Sequence, residues 1–506
     1  MRSGSTDTLS FTKSYDETTP LLSREPTEDP KAVKANATPV PKMQLGDRIA
    51  VITGIRLVEP IAYTQIFPYI NEFMYDLKVT DDPKRIGFYS GLVQSMFALF
   101  ELISIYNMAK ISDRVGRRPV IFTGVIMVGF STLLFGLSTS FPMMVVTRAL
   151  AGLFAGNVSV MHSVIGELTD ASNQAIALPI YALAWPMGSV IGPILGGTFS
   201  HPAQKFSWLN WAFLRTFPYF LPCFISALGT VFATLIGYRL LEETLPSKRR
   251  PALVRMSSTG SSDTLCELPK DLKSDKPLSS SELLANPIIY ALSTSGFALS
   301  FLGSAFDVLY VLVCYTEIAN GGLGLSTEQI GYSLSISGMI AFALQLLLMP
   351  FIMRTYDHGK AYTACMCMFP CIFMLLPLLN PIARGGVDEV TGLLNTNTTA
   401  IIWALICFML GMSRLANMAY SLSMVIVKEG NPSPASLGMC NGIVQSVMCL
   451  ARAFSPALAS SLYAYSVETG ALGGFAWVVF MLSMSFVGVY QSATIALARS
   501  KGKCHS

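Results

Sequence analysis

Charge is what this sequence has least of. Only 13% of its 506 residues are Asp, Glu, Lys or Arg, about half the ~25% of an ordinary soluble domain. Of 35 Lys and Arg and 31 Asp and Glu, 29 fall within residues 1–48 and 239–283, which leaves 37 for the other 413 residues. A soluble globular enzyme could not cover its surface so sparsely, and a disordered chain would not be 52% apolar. The net charge of +4 gives no reason to expect a nucleic-acid partner. Histidine is scarce, at four, and the ten Cys are scattered through apolar runs without a paired framework or zinc spacing. They read as small core hydrophobes, and no metal or cofactor is expected. No nucleophile–base set and no phosphate-cradling loop is present, which argues against an enzyme; the Gly-rich run Asn320–Gly324 reads as a turn. The start of the chain lacks the apolar stretch of a signal peptide.

Apolar runs, by contrast, are abundant. A ~30 Å hydrocarbon layer needs about 20 apolar residues per crossing, and twelve such runs lie near 49–73, 86–108, 119–138, 142–166, 174–199, 213–240, 287–316, 328–352, 361–380, 400–427, 436–464 and 473–497. They are continuous rather than alternating, so helices are expected, because each segment must satisfy its own backbone within lipid. The expected fold is an all-α polytopic membrane protein of twelve transmembrane helices in two six-helix bundles. The expected domains are a disordered tail over 1–46, an N-terminal bundle over 47–241, a polar linker over 242–286, a C-terminal bundle over 287–498 and a short tail over 499–506.

Basic residues cluster in the 2–3 connection (Lys110, Arg114, Arg117, Arg118), the 6–7 linker, the 8–9 turn (Arg354, Lys360) and the C-terminal tail. By the positive-inside rule both termini are cytosolic, in a cell or vacuolar membrane. The sequon at Asn397 then lies on the far side, open to glycosylation. Glu17, Leu21 and Leu22 in the first tail resemble an acidic dileucine signal that would bind a sorting adaptor.

The halves echo one another. Gly192-Pro193 with Gly196 and Gly197 in span 5 matches Ser455-Pro456 with Ala459 and Ser460 in span 11, and Arg148 in span 4 matches Arg414 in span 10. Parallel six-plus-six repeats are a transporter pattern.

Three motifs carry a resemblance to a known family. Ala109 to Arg118, with Asp113, Arg114, Gly116, Arg117 and Arg118 in place, resembles the G-x-L-x-D-R-x-G-R-R motif between spans 2 and 3 of the major facilitator superfamily; Ala109 stands where the family usually has Gly. Arg148, Gly152 and Gly156 resemble its span 4 motif. Gly188, Gly192, Pro193, Gly196 and Gly197 match the span 5 motif of its antiporter branch, and Leu241 to Pro246 is similar to fungal twelve-span drug:proton antiporters. The resemblance spans about residues 46–498. It implies alternating access, a gating role for the span 2–3 motif, and a part in proton transfer for Arg148.

Ionisable groups within the bilayer cost roughly 2.5–3.5 kcal/mol each on insertion scales, so they should face a cavity or a partner. Desolvation raises a carboxylate's pKa and suits it to carry a proton near neutral pH. The proton-coupling candidates are therefore Glu59, Glu101 and Asp307, with Arg148. Arg56 and Glu59 share a helix face and can pair. Arg56, Tyr63, Trp185, Arg414, Tyr420, Asn441, Gln445 and Arg452 are the substrate-cavity candidates, the aromatics to stack on an organic molecule and Arg414 and Arg452 either to hold an anionic group or to bond helix carbonyls. His162 reads as a buried polar side chain.

Three functions fit. The first is a monomeric secondary transporter exporting a drug or secondary metabolite against protons. The second is a proton symporter or uniporter of a nutrient or organic acid, and the third a membrane sensor that transports nothing. The span 5 motif argues against the second and the short tails against the third.

Overall fold

The structure, a computed structural model, describes residues 45–80, 82, 85–169, 177, 180–244, 280–387, 394–430 and 437–503. The Glu17/Leu21/Leu22 motif and most of the expected linker lie outside them. The described residues are almost entirely helical; Val387 and Leu394 form an isolated antiparallel bridge.

The helices in chain order are α1 (Leu45–Thr64), which breaks and continues as a short helix over Ile70–Asp76, then α2 (Ile86–Val115), α3 (Arg117–Gly136), α4 (Phe141–Leu168), α5 (Ile180–Phe199) and α6 (Phe220–Leu240). The second set is α7 (Pro287–Tyr315), α8 (Thr327–Thr355), α9 (His358–Gly385), α10 (Thr396–Gly430), α11 (Leu437–Thr469) and α12 (Ala476–Lys503). Among the described residues, eleven helices are long and apolar enough to cross a membrane. The remaining rod of the expected twelve is α1. It falls short because its 20 residues include Asp47, Arg48, Arg56 and Glu59; two of these charges, Arg56 and Glu59, lie at the candidate site.

Local chemistry sets the helix ends. Ser326 and Gln329 form a reciprocal capping box at the start of α8. Asp357 caps α9 by accepting the Gly359 and Lys360 N–H groups, and Asn286 caps α7 ahead of Pro287. The Asn320–Gly324 run is a turn, with Gly321 and Gly324 at φ 96° and 62°, and Asn380 clamps it by donating to the Ile318 and Gly322 carbonyls at 2.9 and 2.7 Å.

The two halves differ inside. The second has one continuous apolar core, in which Phe306, Tyr310, Phe373, Leu410 and Met481 are almost fully buried. In the first the core is cut into three layers, around Ile52 and Ile121, around Phe97 and Ala151, and around Tyr69 and Phe135. The cuts fall at the charged residues Arg56–Glu59 and Arg148. Outward faces are apolar and exposed, as along Phe224, Leu228, Val231, Phe232 and Leu235 of α6, where lipid covers them.

Twelve rods of alternating direction put the start of α1 and the end of α12 at one end, the near end. At the opposite, far end the halves meet along two seams, α2 on α11 and α5 on α8.

Candidate functional site

Between the halves lies a cleft to which both contribute charge. On α1, Arg56 Nη1 donates to Glu59 Oε2 at 2.6 Å, the i,i+3 pair expected from sequence. Glu59 is 8% exposed and stands within electrostatic range of Glu101 on α2 and Arg452 on α11. On the other side Arg414 of α10 reaches Asp307 of α7 at 3.1 Å, an ion pair that sequence spacing did not offer. Tyr63, Phe67 and Trp185 face Asp307, Leu334 and Arg414 around a cavity of about 40 Å³ at the narrow end of the cleft. Tyr63 is the hinge of this aromatic group, with ring centroids 5.8 Å from Trp185, 5.2 Å from Phe67 and 4.9 Å from Phe97. Of the cavity candidates, Tyr63, Trp185 and Arg414 line this cavity, and Arg56 and Arg452 stand around Glu59. Tyr420 donates to Ser300 at 3.0 Å within electrostatic range of Arg452 and Asp307, and Asn441 and Gln445 are half-buried on α11.

Arg148 is different from the other cations. It is 3% exposed and has no carboxylate partner among the described residues. Its guanidinium lies over the rings of Phe97 (4.7 Å), Tyr63 (5.4 Å) and Phe135 (6.0 Å), and its Nε has no hydrogen-bond partner. Cation–π attraction takes the place of an anion.

The span 5 glycines divide their work. A Cβ on Gly188, Gly192 or Gly196 would strike α1, at Pro60 Cγ (2.7 Å), Thr64 Oγ1 (2.0 Å) and the Gln65 carbonyl (1.9 Å). These glycines bring α5 against α1 within the first half. Gly197 faces the other way, where a Cβ would lie 3.1 Å from the Gly331 Cα of α8. Close packing therefore serves both the bundle and the seam between bundles.

At the near end, Arg117 pairs with Asp113 (2.6 Å) and Glu167 (3.0 Å), and Thr244 donates to Glu167 at 2.6 Å. Glu243 accepts the backbone N–H groups of Arg117 and Arg118, while the Arg118 side chain donates to the Tyr238 carbonyl and stacks on the Tyr238 ring at 4.4 Å. Gly116, at φ 119°, makes the turn that allows this. The span 2–3 motif and the segment after span 6 thus form one cluster tying α2, α3, α4 and α6. Arg114 sits exposed beside it.

Sequence reasoning missed the far-end ties. Lys205 pairs with Glu328 at 2.8 Å, Arg85 with Glu468 at 2.5 Å, and Thr327 donates to Glu72. Glu72 and Asp76 also flank His201 Nε2, at 3.3 and 3.4 Å. The charges sit at helix ends, where they read as topology markers, and their partners are more than a hundred residues away. Among the described residues, the ion pairs that join the halves, Lys205–Glu328 and Arg85–Glu468, lie at this end.

Two expectations are corrected. His162 is exposed, its ring edge-on to Tyr181, because the last turns of α4 line the open near end. Cys367 and Cys371 are exposed on α9, whereas Cys223, Cys314, Cys440 and Cys449 are buried as expected; within lipid an apolar context does not imply an interior position. Asn397 is exposed at the far end, at the start of α10.

Comparison with known proteins agrees with this architecture. The Major Facilitator Superfamily model matches residues 60–456. The chain is 41% identical over 521 residues to the major facilitator-type transporter psiT2 of Psilocybe cyanescens, with 98% of each chain covered. It is 28% identical to the multidrug transporter mfsB of Aspergillus fumigatus, over 84% of this chain and 79% of that one. A bacterial homologue of the human lysosomal transporter Spinster, in an inward-facing, occupied conformation, superimposes with a TM-score of 0.60 at 14% identity, over 90% of this chain and 97% of that one. The chain is an integral, multi-pass membrane protein that belongs to the major facilitator superfamily of transporters.

Proposed function

We propose that the protein exports small organic molecules from the cytosol in exchange for protons, by alternating access. The observation that carries this reading is the asymmetry of closure. The halves are tied at the far end by Lys205–Glu328, Arg85–Glu468 and Thr327–Glu72 and packed along Gly91, Gly197 and Gly331, while no described ion pair joins them at the near end. A cleft with ionisable groups from both halves and closed at one end is one state of a two-state device. The basic near-end cluster supports a cytosolic near end under the positive-inside rule, and on that reading this state is open inward. Export is favoured by the span 5 motif and by a relative named as a multidrug transporter.

Glu59, Glu101 and Asp307 are the acids within the cleft. Two of them have a guanidinium at hand, Glu59 with Arg56 and Asp307 with Arg414. Taking up a proton would free that guanidinium, which gives a physical link between proton and cargo. The aromatic group around Tyr63 offers stacking surface to an organic molecule.

The test is transport of candidate aromatic compounds by purified protein in sealed vesicles with an imposed pH difference. Uptake into vesicles whose interior is acidic, lost when the gradient is collapsed, is the expected result. Uptake that follows the proton gradient in the same direction would make the protein a symporter. Glu59→Gln and Glu101→Gln should abolish the pH-driven component while leaving the protein monodisperse; full transport in both would remove them from the mechanism.

A further inference from the structure

We propose that Glu101 of α2 and Arg452 of α11 form an ion pair that fastens the two halves together when the near end closes, and that a proton on Glu101 releases it. The proposal rests on the reading of the protein as an alternating-access transporter and adds the contact that distinguishes its second state.

The register of the α2–α11 seam carries the argument. The helices run antiparallel and touch at successive levels from the far end inward. A Cβ on Gly91 would lie 1.9 Å from Ser460 Oγ and 2.5 Å from the Pro456 carbonyl. One turn nearer the open end, the Ala457 N–H donates to Ser95 Oγ at 3.0 Å. Each turn along α2 is therefore matched by a turn back along α11. Continuing the count by about one and a half turns brings Glu101 on one helix level with Arg452 on the other, with Glu101 rotated off the packed face onto the cleft wall. Small residues occupy the packed levels, and opposite charges occupy the level at which Glu101 and Arg452 make no contact within 4 Å.

The two groups are close but not bonded. Each lies within electrostatic range of the other, yet no nitrogen–oxygen approach within 4 Å joins them. Both are half-buried on the cleft wall. Neither is satisfied by another ion. The Glu101 carboxylate has no hydrogen bond or ion pair among the described residues. The Arg452 Nη2 contacts Cys449 Sγ at 2.8 Å, and its Nε is buried without a hydrogen-bond partner. The other acids of the cleft already have guanidinium partners, Glu59 in Arg56 and Asp307 in Arg414. The groups facing Glu101 are Arg56, Glu59 and Tyr63 from α1 and Cys449 and Arg452 from α11. Arg452 is thus the only one of these cations that the opposite half contributes.

The proton step is simple. With Glu101 ionised, closure of the near end brings carboxylate and guanidinium into contact. When Glu101 takes up a proton from whichever side the cleft faces, the acid becomes neutral, and closure would leave the Arg452 charge without an anion. The near end then opens. A proton on Glu101 thus favours the state open at the near end.

The experiment measures the near-end distance directly, in detergent-solubilised full-length protein. Spin labels on unnatural residues at Asn107 of α2 and Ser446 of α11, both exposed, avoid the native cysteines. The wild type should gain a short-distance population as pH rises. Glu101→Gln and Arg452→Gln should each reduce it by about threefold, the range that a partly exposed pair gives, and remove its pH dependence. Arg452→Lys, which keeps the charge, should retain it, and the swapped pair Glu101→Arg with Arg452→Glu should restore it. A wild-type distance that ignores pH, or a Glu101→Gln protein indistinguishable from wild type, overturns the proposal. If the distance shifts as expected but the wild type moves no compound in vesicles, the pair stands and the transport reading fails.

Discussion

Glu243, just past the end of α6, accepts the backbone N–H groups of Arg117 and Arg118 at 2.9 and 3.1 Å, capping the first turn of α3 from 125 residues away. Those N–H groups have no acceptor within their own helix, and the positive end of the helix dipole favours a carboxylate. Gly116 is part of the same device, since a Cβ there would lie 2.7 Å from Glu243 Oε2 on a backbone at φ 119°. Glu243→Ala should cost about 1 kcal/mol, the value of a helix cap. Glu243→Gln, which keeps an acceptor, should cost less. Thermal unfolding of the purified variants reads both; an unchanged midpoint for Glu243→Ala would show that the cap contributes nothing.

Gly192 and Gly331 separate folding from gating. A Cβ on Gly192 would strike Thr64 Oγ1 at 2.0 Å within the first half, and one on Gly331 would meet the Pro193 carbonyl at 2.7 Å across the seam. Overpacking costs typically ~1–3 kcal/mol wherever it occurs, and the location decides what is lost. Gly192→Leu should lower thermal stability. Gly331→Leu should leave the midpoint close to wild type and hold the far end apart. Labelling of a far-end position with a membrane-impermeant reagent should then rise. Equal loss of stability in both variants would contradict the assignment of Gly331 to a moving seam.

Much of this arrangement was legible in the sequence, for identifiable reasons. Long apolar runs announce membrane helices because lipid demands them, and Arg56–Glu59 was visible because three residues make nearly one helical turn. The closeness of Asp113, Gly116 and Arg117 followed from adjacency. Pairs that depend on how rods are arranged were not legible: Asp307 and Arg414 are 107 residues apart, and Glu72, Arg85, Lys205, Glu328 and Glu468 stand at helix ends where any polar residue is tolerated. The exposed Cys367 and Cys371 were misread because lipid-facing and core-facing positions have the same composition. His162 was misread because an open cleft makes an accessible surface out of residues within a span.

Lys205 and Glu328, 2.8 Å apart across the α5–α8 seam, are 24% and 41% exposed. A pair this open to solvent contributes at most about 1 kcal/mol and is screened by salt. Lys205→Ala should therefore shift the balance of states toward an open far end by no more than about fivefold, and raising the ionic strength should reproduce part of the shift in the wild type. Arg85→Ala should act in the same direction. Far-end labelling that responds to neither substitution nor to salt would mean that glycine packing alone holds this end closed.

Arg148 sets stability against function most sharply. A cation buried over Phe97, Tyr63 and Phe135, with an unpartnered Nε and no carboxylate among the described residues, bears a desolvation cost that ring contacts only partly offset. An apolar side chain of similar length would remove that cost without opening a cavity. Arg148→Met should therefore leave the fold intact and raise its stability by about 1 kcal/mol, while transport falls at least about tenfold if the charge takes part in moving the proton. Arg148→Lys tests the geometry as well as the charge, because an ammonium lacks the flat face that lies over these rings; it should lose most of the transport and gain no stability. Paired thermal midpoints and vesicle uptake rates decide the matter. A less stable but fully active Arg148→Met protein would make this residue a structural support and not a member of the proton path.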